Sequence, residues 1–134
     1  MAPTSSDDAN EIRNLIARLS RNADTGDEAA YLSSFADDAE WNLPGAAVVG
    51  IDMIREALRA RRERGEAGPG TATRHMVSTV DVVVDGDRAE AMSYFQFFVD
   101  TTTTPALRSV GEYSDVFVRT AEGWKLRRRD IVMG

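Results

Sequence analysis

The spacing of apolar residues changes once along this chain, near residue 70, and that change limits the folds open to it. Before it, apolar positions recur three and four apart, as on one stripe of a helix: Ile12, Leu15, Ile16, Leu19 and Ala23, then Ile51, Ile54, Ala57 and Leu58. After it the chain reads as strand, over Val77–Val84, Ala89–Val99, Val110–Arg119 and Trp124–Val132. Helices first and then a meander of long antiparallel strands predict an α+β domain. The expected architecture is a cone-shaped, curved antiparallel sheet with three N-terminal helices enclosing one apolar pocket. A length of 134 residues fits one domain over residues 1–134, with residues 1–6 expected to be flexible.

Local signals place the elements. Thr4 or Ser5, each with an aspartate three residues on, caps the first helix, and Asp24-Thr25-Gly26-Asp27 breaks it. Thr25 with Glu28 reads as a second capping box, opening a short helix that buries Tyr31, Leu32 and Phe35. Ala36 to Leu43 is a short strand ending at Pro44-Gly45, expected at the sheet edge. A third helix spans about Ile51 to Arg64 and stops at Gly65, with Arg55, Arg59 and Arg62 as a solvated stripe on its outer face. Asp85-Gly86-Asp87 and Ala121-Glu122-Gly123 mark two hairpins.

Strand parity says more. His75 and Val77 share one parity while Val80, Val82 and Val84 take the other, which predicts a bulge near Ser78–Val80. Ala89–Val99 is apolar on both parities, with Phe95, Phe97 and Val99 on one and Met92, Tyr94 and Phe98 on the other. Such a strand is covered on both faces, by the pocket within and by a second copy of the chain outside, so a homodimer is expected.

Composition excludes several classes. There is no cysteine, hence no disulfide and no thiolate metal site, and one histidine cannot build a multi-imidazole zinc site. The acidic pairs Asp7-Asp8 and Asp37-Asp38 are better explained as caps and turns than as metal ligands. No metal and no cofactor are expected. A net charge of −6 argues against nucleic acid, and the apolar runs are too short to span a membrane. The opening residues lack the basic and apolar regions of a signal peptide, so a cytoplasmic location is expected.

Several pieces in order carry a resemblance: Ala-Asp-Thr-Gly-Asp at 23–27, Phe35-Ala-Asp-Asp-Ala-Glu-Trp41, Arg74-His75, Asp85-Gly86-Asp87, Gly111-Glu-Tyr113-Ser-Asp115 and Gly123-Trp124. Together, over about residues 11–129, they resemble the SnoaL-like branch of the nuclear transport factor 2-like superfamily. Within it the pattern is similar to the scytalone dehydratase and hexachlorocyclohexane dehydrochlorinase type. The resemblance implies a conical α+β barrel, often dimeric through its outer sheet face, with a deep apolar cavity. It implies Asp24 and His75 as a catalytic pair and Arg129 as a third catalytic group. The chain also departs from the pattern: Ser20 stands where the dehydrochlorinase has a catalytic lysine, and Val99 near a second histidine of scytalone dehydratase.

The chemistry implied is a cofactor-independent lyase or isomerase acting on a small, mostly apolar cyclic metabolite by Asp/His-assisted proton abstraction. An aspartate bound to one ring nitrogen fixes the tautomer and leaves the other nitrogen to take a proton. Phe35, Trp41, Phe95 and Phe97 are core and ligand wall together. Tyr113 and Asp115 share a parity, so both are expected to face the pocket. Arg129 either binds an oxyanion or pairs with an acidic neighbour. The alternative function is a non-catalytic ligand-binding or dimeric structural module of the same fold.

Overall fold

A computed structural model describes residues 4–134. Of the six residues expected to be flexible, the first three lie outside the described residues. Of the other three, Thr4 caps helix α1 (Ser5–Thr25) and the two serines stand in its first turn. The cap is reciprocal: Thr4 Oγ1 accepts from the Asp7 N–H, and the Asp7 carboxylate accepts from the Thr4 N–H. Two otherwise orphaned backbone donors are thereby satisfied. The stripe Ile12, Leu15, Ile16 and Leu19 is buried, each side chain contributing about 1.5–3 kcal/mol of transfer free energy.

Helix α1 continues through Thr25, so the cap of α2 (Glu28–Leu32) falls on Asp27 rather than Thr25. The Asp27 carboxylate accepts from the Ala30 N–H at 2.7 Å. Helix α3 (Ile51–Glu63) buries Ile54 and Leu58. Its basic face is more engaged than a solvated stripe. Arg59 forks onto Glu28, and Arg62 donates from Nη2 to the carbonyls of Asn22 (3.0 Å) and Gly26 (2.9 Å), closing the end of α1.

Six strands follow: β1 (Phe35–Leu43), β2 (Ala46–Val49), β3 (Arg74–Asp85), β4 (Arg88–Val99), β5 (Ala106–Thr120) and β6 (Gly123–Met133), in the spatial order β2-β1-β6-β5-β4-β3. The four long strands form the expected antiparallel meander. The short strand does not lie at the edge. Pro44-Gly45, with Gly45 at φ +77°, turns β1 into β2, and β1 sits between β2 and β6, parallel to β6. The sheet is strongly curved but stays open between β2 and β3, so it is not the closed barrel that the resemblance implied. Helix α1 packs along β3 instead.

Two of the four register shifts in the sheet divide its concave face. In β3 the pairing with β4 shifts between Ser78 and Asp81, and Thr79 takes φ 53°, where the parity conflict predicted a bulge. In β6 the register shifts between the pairs Phe117–Leu126 and Val116–Arg128. Trp124 and Leu126 point inward before that shift, Arg129 and Ile131 after it. The interior accordingly divides in two. One cluster holds α1, Phe117, Trp124 and Leu126; the other is built from Phe95, Tyr113 and Ile131. On β4, Ala89, Ala91 and Phe95 face inward, while Met92 and Tyr94 are 45% and 47% exposed on the outer face. No helix among the described residues is long and apolar enough to cross a membrane.

Candidate functional site

Asp24 stands in the last turn of α1, buried, where that helix meets the start of β3. Its carboxylate accepts the His75 backbone N–H on both oxygens, at 3.1 and 3.0 Å, and lies 2.7 Å from the His75 ring through Nδ1. A carboxylate only accepts, so Nδ1 is the donor of this contact, and in the neutral ring Nε2 then holds the lone pair. The ring packs on Phe97, its register partner across β3 and β4, with centroids 4.5 Å apart. Backbone, carboxylate and aromatic face together fix the imidazole.

His75 borders a cavity of about 250 Å³ between the helices and the concave face of the sheet. Trp41, Phe95, Phe97, Tyr113 and Arg129 line it as well. His75 also borders an outer groove shared with Asp24, Arg21 and Arg74, so the imidazole stands in the partition between interior and solvent. Phe95 stacks on Tyr113 at 4.6 Å, and Gly111 makes room for it: a Cβ there would come within 2.3 Å of the Phe95 ring. Burial pushes the Tyr113 phenol up to about 12, the positive Arg129 beside it only partly offsetting that. The hydroxyl therefore stays protonated and able to donate.

Arg129 faces inward, and it is also paired. Nε and Nη2 fork onto the Asp115 carboxylate at 2.8 and 2.9 Å from the directly opposed position on β5. Its carbon centre lies 3.8 Å from the centre of the Tyr113 ring. Burial works against the Arg129 charge, but Asp115 more than offsets this and holds the guanidinium protonated. Nη1 takes no part in the fork.

Two expected wall residues lie elsewhere. Asp115 is fully buried behind Arg129 and does not line the cavity, because its directly opposed partner covers it. Phe35 packs 5.1 Å from the Tyr31 ring in the core beneath, since β1 opens there with its side chain under α2. Conversely, Tyr31 and Arg61 line the cavity without having been expected there. Arg61 had a signal: it extends the apolar stripe Ile51, Ile54, Leu58 by three residues. Tyr31 had none, because a buried tyrosine reads as core. Asp7 serves the α1 cap, and Asp38 pairs with Arg127. Among the described residues no three His, Cys, Asp or Glu side chains converge as a metal site.

Comparison with known proteins bears on the same geometry. A Novosphingobium aromaticivorans protein, described as nuclear transport factor 2-like with a cystatin-like fold, is 29% identical over 96% of this chain and 82% of its own, with a TM-score of 0.85. A provisionally assigned dehydratase of the same fold from Streptomyces avermitilis is 16% identical over 96% of this chain and 98% of its own, at 0.81. A provisionally assigned aromatic ring hydroxylase from Novosphingobium aromaticivorans is 22% identical over 98% and 92%, at 0.78. No curated protein matches the chain. The sequence profile of the SnoaL-like domain matches residues 4–130, nearly the whole chain. The chain belongs to the SnoaL-like domain family, with the nuclear transport factor 2-like fold.

Proposed function

We propose that the protein is a lyase or isomerase that takes a proton from carbon in a small, mostly apolar cyclic molecule, using its own side chains. The observation that carries this reading is the Asp24–His75 contact of 2.7 Å at the wall of an aromatic-lined cavity. His75 Nε2 takes the proton from a carbon beside a carbonyl or a leaving group, and Asp24 balances the imidazolium that forms. The electron pair moves onto the carbonyl oxygen or departs with the leaving group. The Tyr113 hydroxyl and the Arg129 guanidinium, both on residues of the cavity wall, take up that negative charge. In an elimination the proton then passes to solvent by way of the outer groove beside His75; in an isomerisation the imidazolium returns it to another carbon of the enolate. Fold neighbours assigned variously as dehydratase and hydroxylase do not choose a reaction, so the choice rests on this pair of residues.

The test is deuterium incorporation into 2-tetralone in heavy water, followed by NMR. The expected result is exchange well above the buffer rate and its loss in His75→Gln. Equal exchange by His75→Gln and the parent defeats the assignment of the base, and the cavity is then a binding site only. A cytoplasmic location goes with the reading and rests on the sequence alone.

The same proposal includes a homodimer through the outer face of the long strands. Met92, Tyr94, Val110 and Val132 are exposed there, on neighbouring strands. Interfaces of this type bury roughly 2,000 Å² or more in total. Sedimentation at micromolar concentration is expected to give twice the chain mass, and Tyr94→Glu to halve it. A parent protein that sediments as a monomer refutes the dimer.

A further inference from the structure

Helix α3 turns Ile51, Ile54 and Leu58 toward the interior, and the same three-and-four spacing brings Arg61 inward next. Arg61 borders the cavity, half-buried, with its guanidinium carbon 4.5 Å from the centre of the Trp41 ring. Stacking on an indole holds the guanidinium plane in place and leaves its N–H edge unspent. The neighbouring arginines are all engaged: Arg55 with Asp52, Arg59 with Glu28, Arg62 with the carbonyls of Asn22 and Gly26, and Arg64 with Glu66. Arg61 differs, since among the described residues no carboxylate pairs with it and no acceptor takes its N–H groups. Glu66 also borders the cavity, but both of its oxygens are held by Arg64, at 2.7 and 3.3 Å. A guanidinium with Glu66 near it but no hydrogen-bonded partner therefore stands at the cavity wall of a protein whose net charge is −6.

We propose that Arg61 anchors a carboxylate of the ligand, and that the cavity takes a flat molecule of one or two rings carrying that group. Shape supports the class. An apolar void of about 150 Å³ accepts benzene, so the 250 Å³ here has room for two fused rings. A planar guanidinium edge matches a carboxylate through two parallel hydrogen bonds. One free guanidinium balances one negative charge; a phosphate calls for more cations, and the other two arginines of the cavity wall are engaged, Arg62 with the carbonyls of Asn22 and Gly26 and Arg129 with Asp115. The inference deepens the proton-transfer reading by naming a substrate class for its cavity. It depends on that reading only for the claim that the ligand reacts.

Calorimetric titration with 2-naphthoate and its neutral isostere 2-naphthamide tests it on the intact protein. The parent is expected to bind the acid about tenfold or more tightly than the amide. Arg61→Met keeps the stem on Trp41 and should bind both alike, with amide affinity retained. Arg61→Lys keeps the charge without the fork and should fall between the two, which decides the matter if the methionine variant does not fold. Arg55→Gln, on the outer face of α3, should leave the preference as it is. Equal affinities in the parent, a full preference in the Arg61 variants, or no saturable binding of either compound overturns the proposal. Binding is read without turnover, so the two readings fail separately. Loss of the acid preference with His75-dependent exchange intact breaks this one alone. Absence of exchange with the preference intact breaks the other.

Discussion

Helix α1 carries a buried aspartate at each end, and the two are used in opposite ways. Asp8 lies in the first turn, where the exposed N–H groups make the helix end positive and a carboxylate is favoured. Arg119 forks onto it at 2.9 and 2.8 Å and Trp124 Nε1 donates at 3.1 Å, which holds the carboxyl below the usual carboxylate range. Its oxygens are consumed by the scaffold. Asp24 lies in the last turn, where the carbonyls make the end negative and a carboxylate is disfavoured by about 0.3–1 kcal/mol. It is nonetheless buried, and it holds an imidazole at a cavity wall. The charge placed with the local field ties helix to sheet through Arg119 and Trp124; the charge placed against it holds the imidazole at the cavity wall.

That contrast can be broken by experiment. If Asp24 exists for chemistry, His75→Gln should lower the exchange rate by ~10²–10⁴ while the thermal unfolding midpoint barely moves. A large fall in the midpoint would make the Asp24–His75 contact a fastener like Asp8. Asp115 is the intermediate case, next to the cavity yet wholly consumed by Arg129. Asp115→Ala leaves a buried cation alone and should destabilise the fold by about 3–5 kcal/mol in urea titration, whereas a paired Asp115→Leu, Arg129→Met change should recover most of the loss. Asp24→Asn keeps the shape and removes the charge, so its rate loss should be smaller than that of His75→Gln, about tenfold to a hundredfold.

The smallest effect belongs to Asp8 and is seen in acid. A carboxyl whose folded pKa is depressed adds stability that is present above its unfolded value, about 3.9, and is lost as pH falls through the folded value. Asp8→Asn should therefore be less stable than the parent at neutral pH, with the gap closing below about pH 4. A gap that stays constant down to pH 2 by circular dichroism (on the order of full protonation) would show that shape rather than charge fastens that end.

Much of this was legible in the residues, and each failure has a physical cause. The β3 bulge could be read because valines of one parity follow a histidine and valine of the other. The β6 bulge could not, since Arg127-Arg128-Arg129 shows no parity at all. Strand β2 is four exposed or half-buried residues with no periodicity to detect, and the β1–β6 pairing joins segments some ninety residues apart. The pairing of Asp24 with His75 was what the resemblance implied, and it agrees with a cone that brings the end of the first helix beside the start of the first long strand. Asp115 was placed in the cavity because parity tells which face a side chain takes but not what stands in front of it. Arg61 was readable in principle, as a cation on an apolar stripe.

The two bulges have a consequence for how such a protein changes over generations. In β3 and β6 alike, each bulge falls between a stretch that packs the main core, Val80–Val84 or Trp124–Leu126, and residues that line the cavity, His75 or Arg129 and Ile131. Alternation on one side of such a joint is independent of alternation on the other. Inserting or deleting a residue at the joint exchanges the cavity-side side chains of that strand while its core half keeps its register. A lineage built this way can acquire a different reactive surface in one genetic event, and the part of the molecule that must fold inherits none of the change.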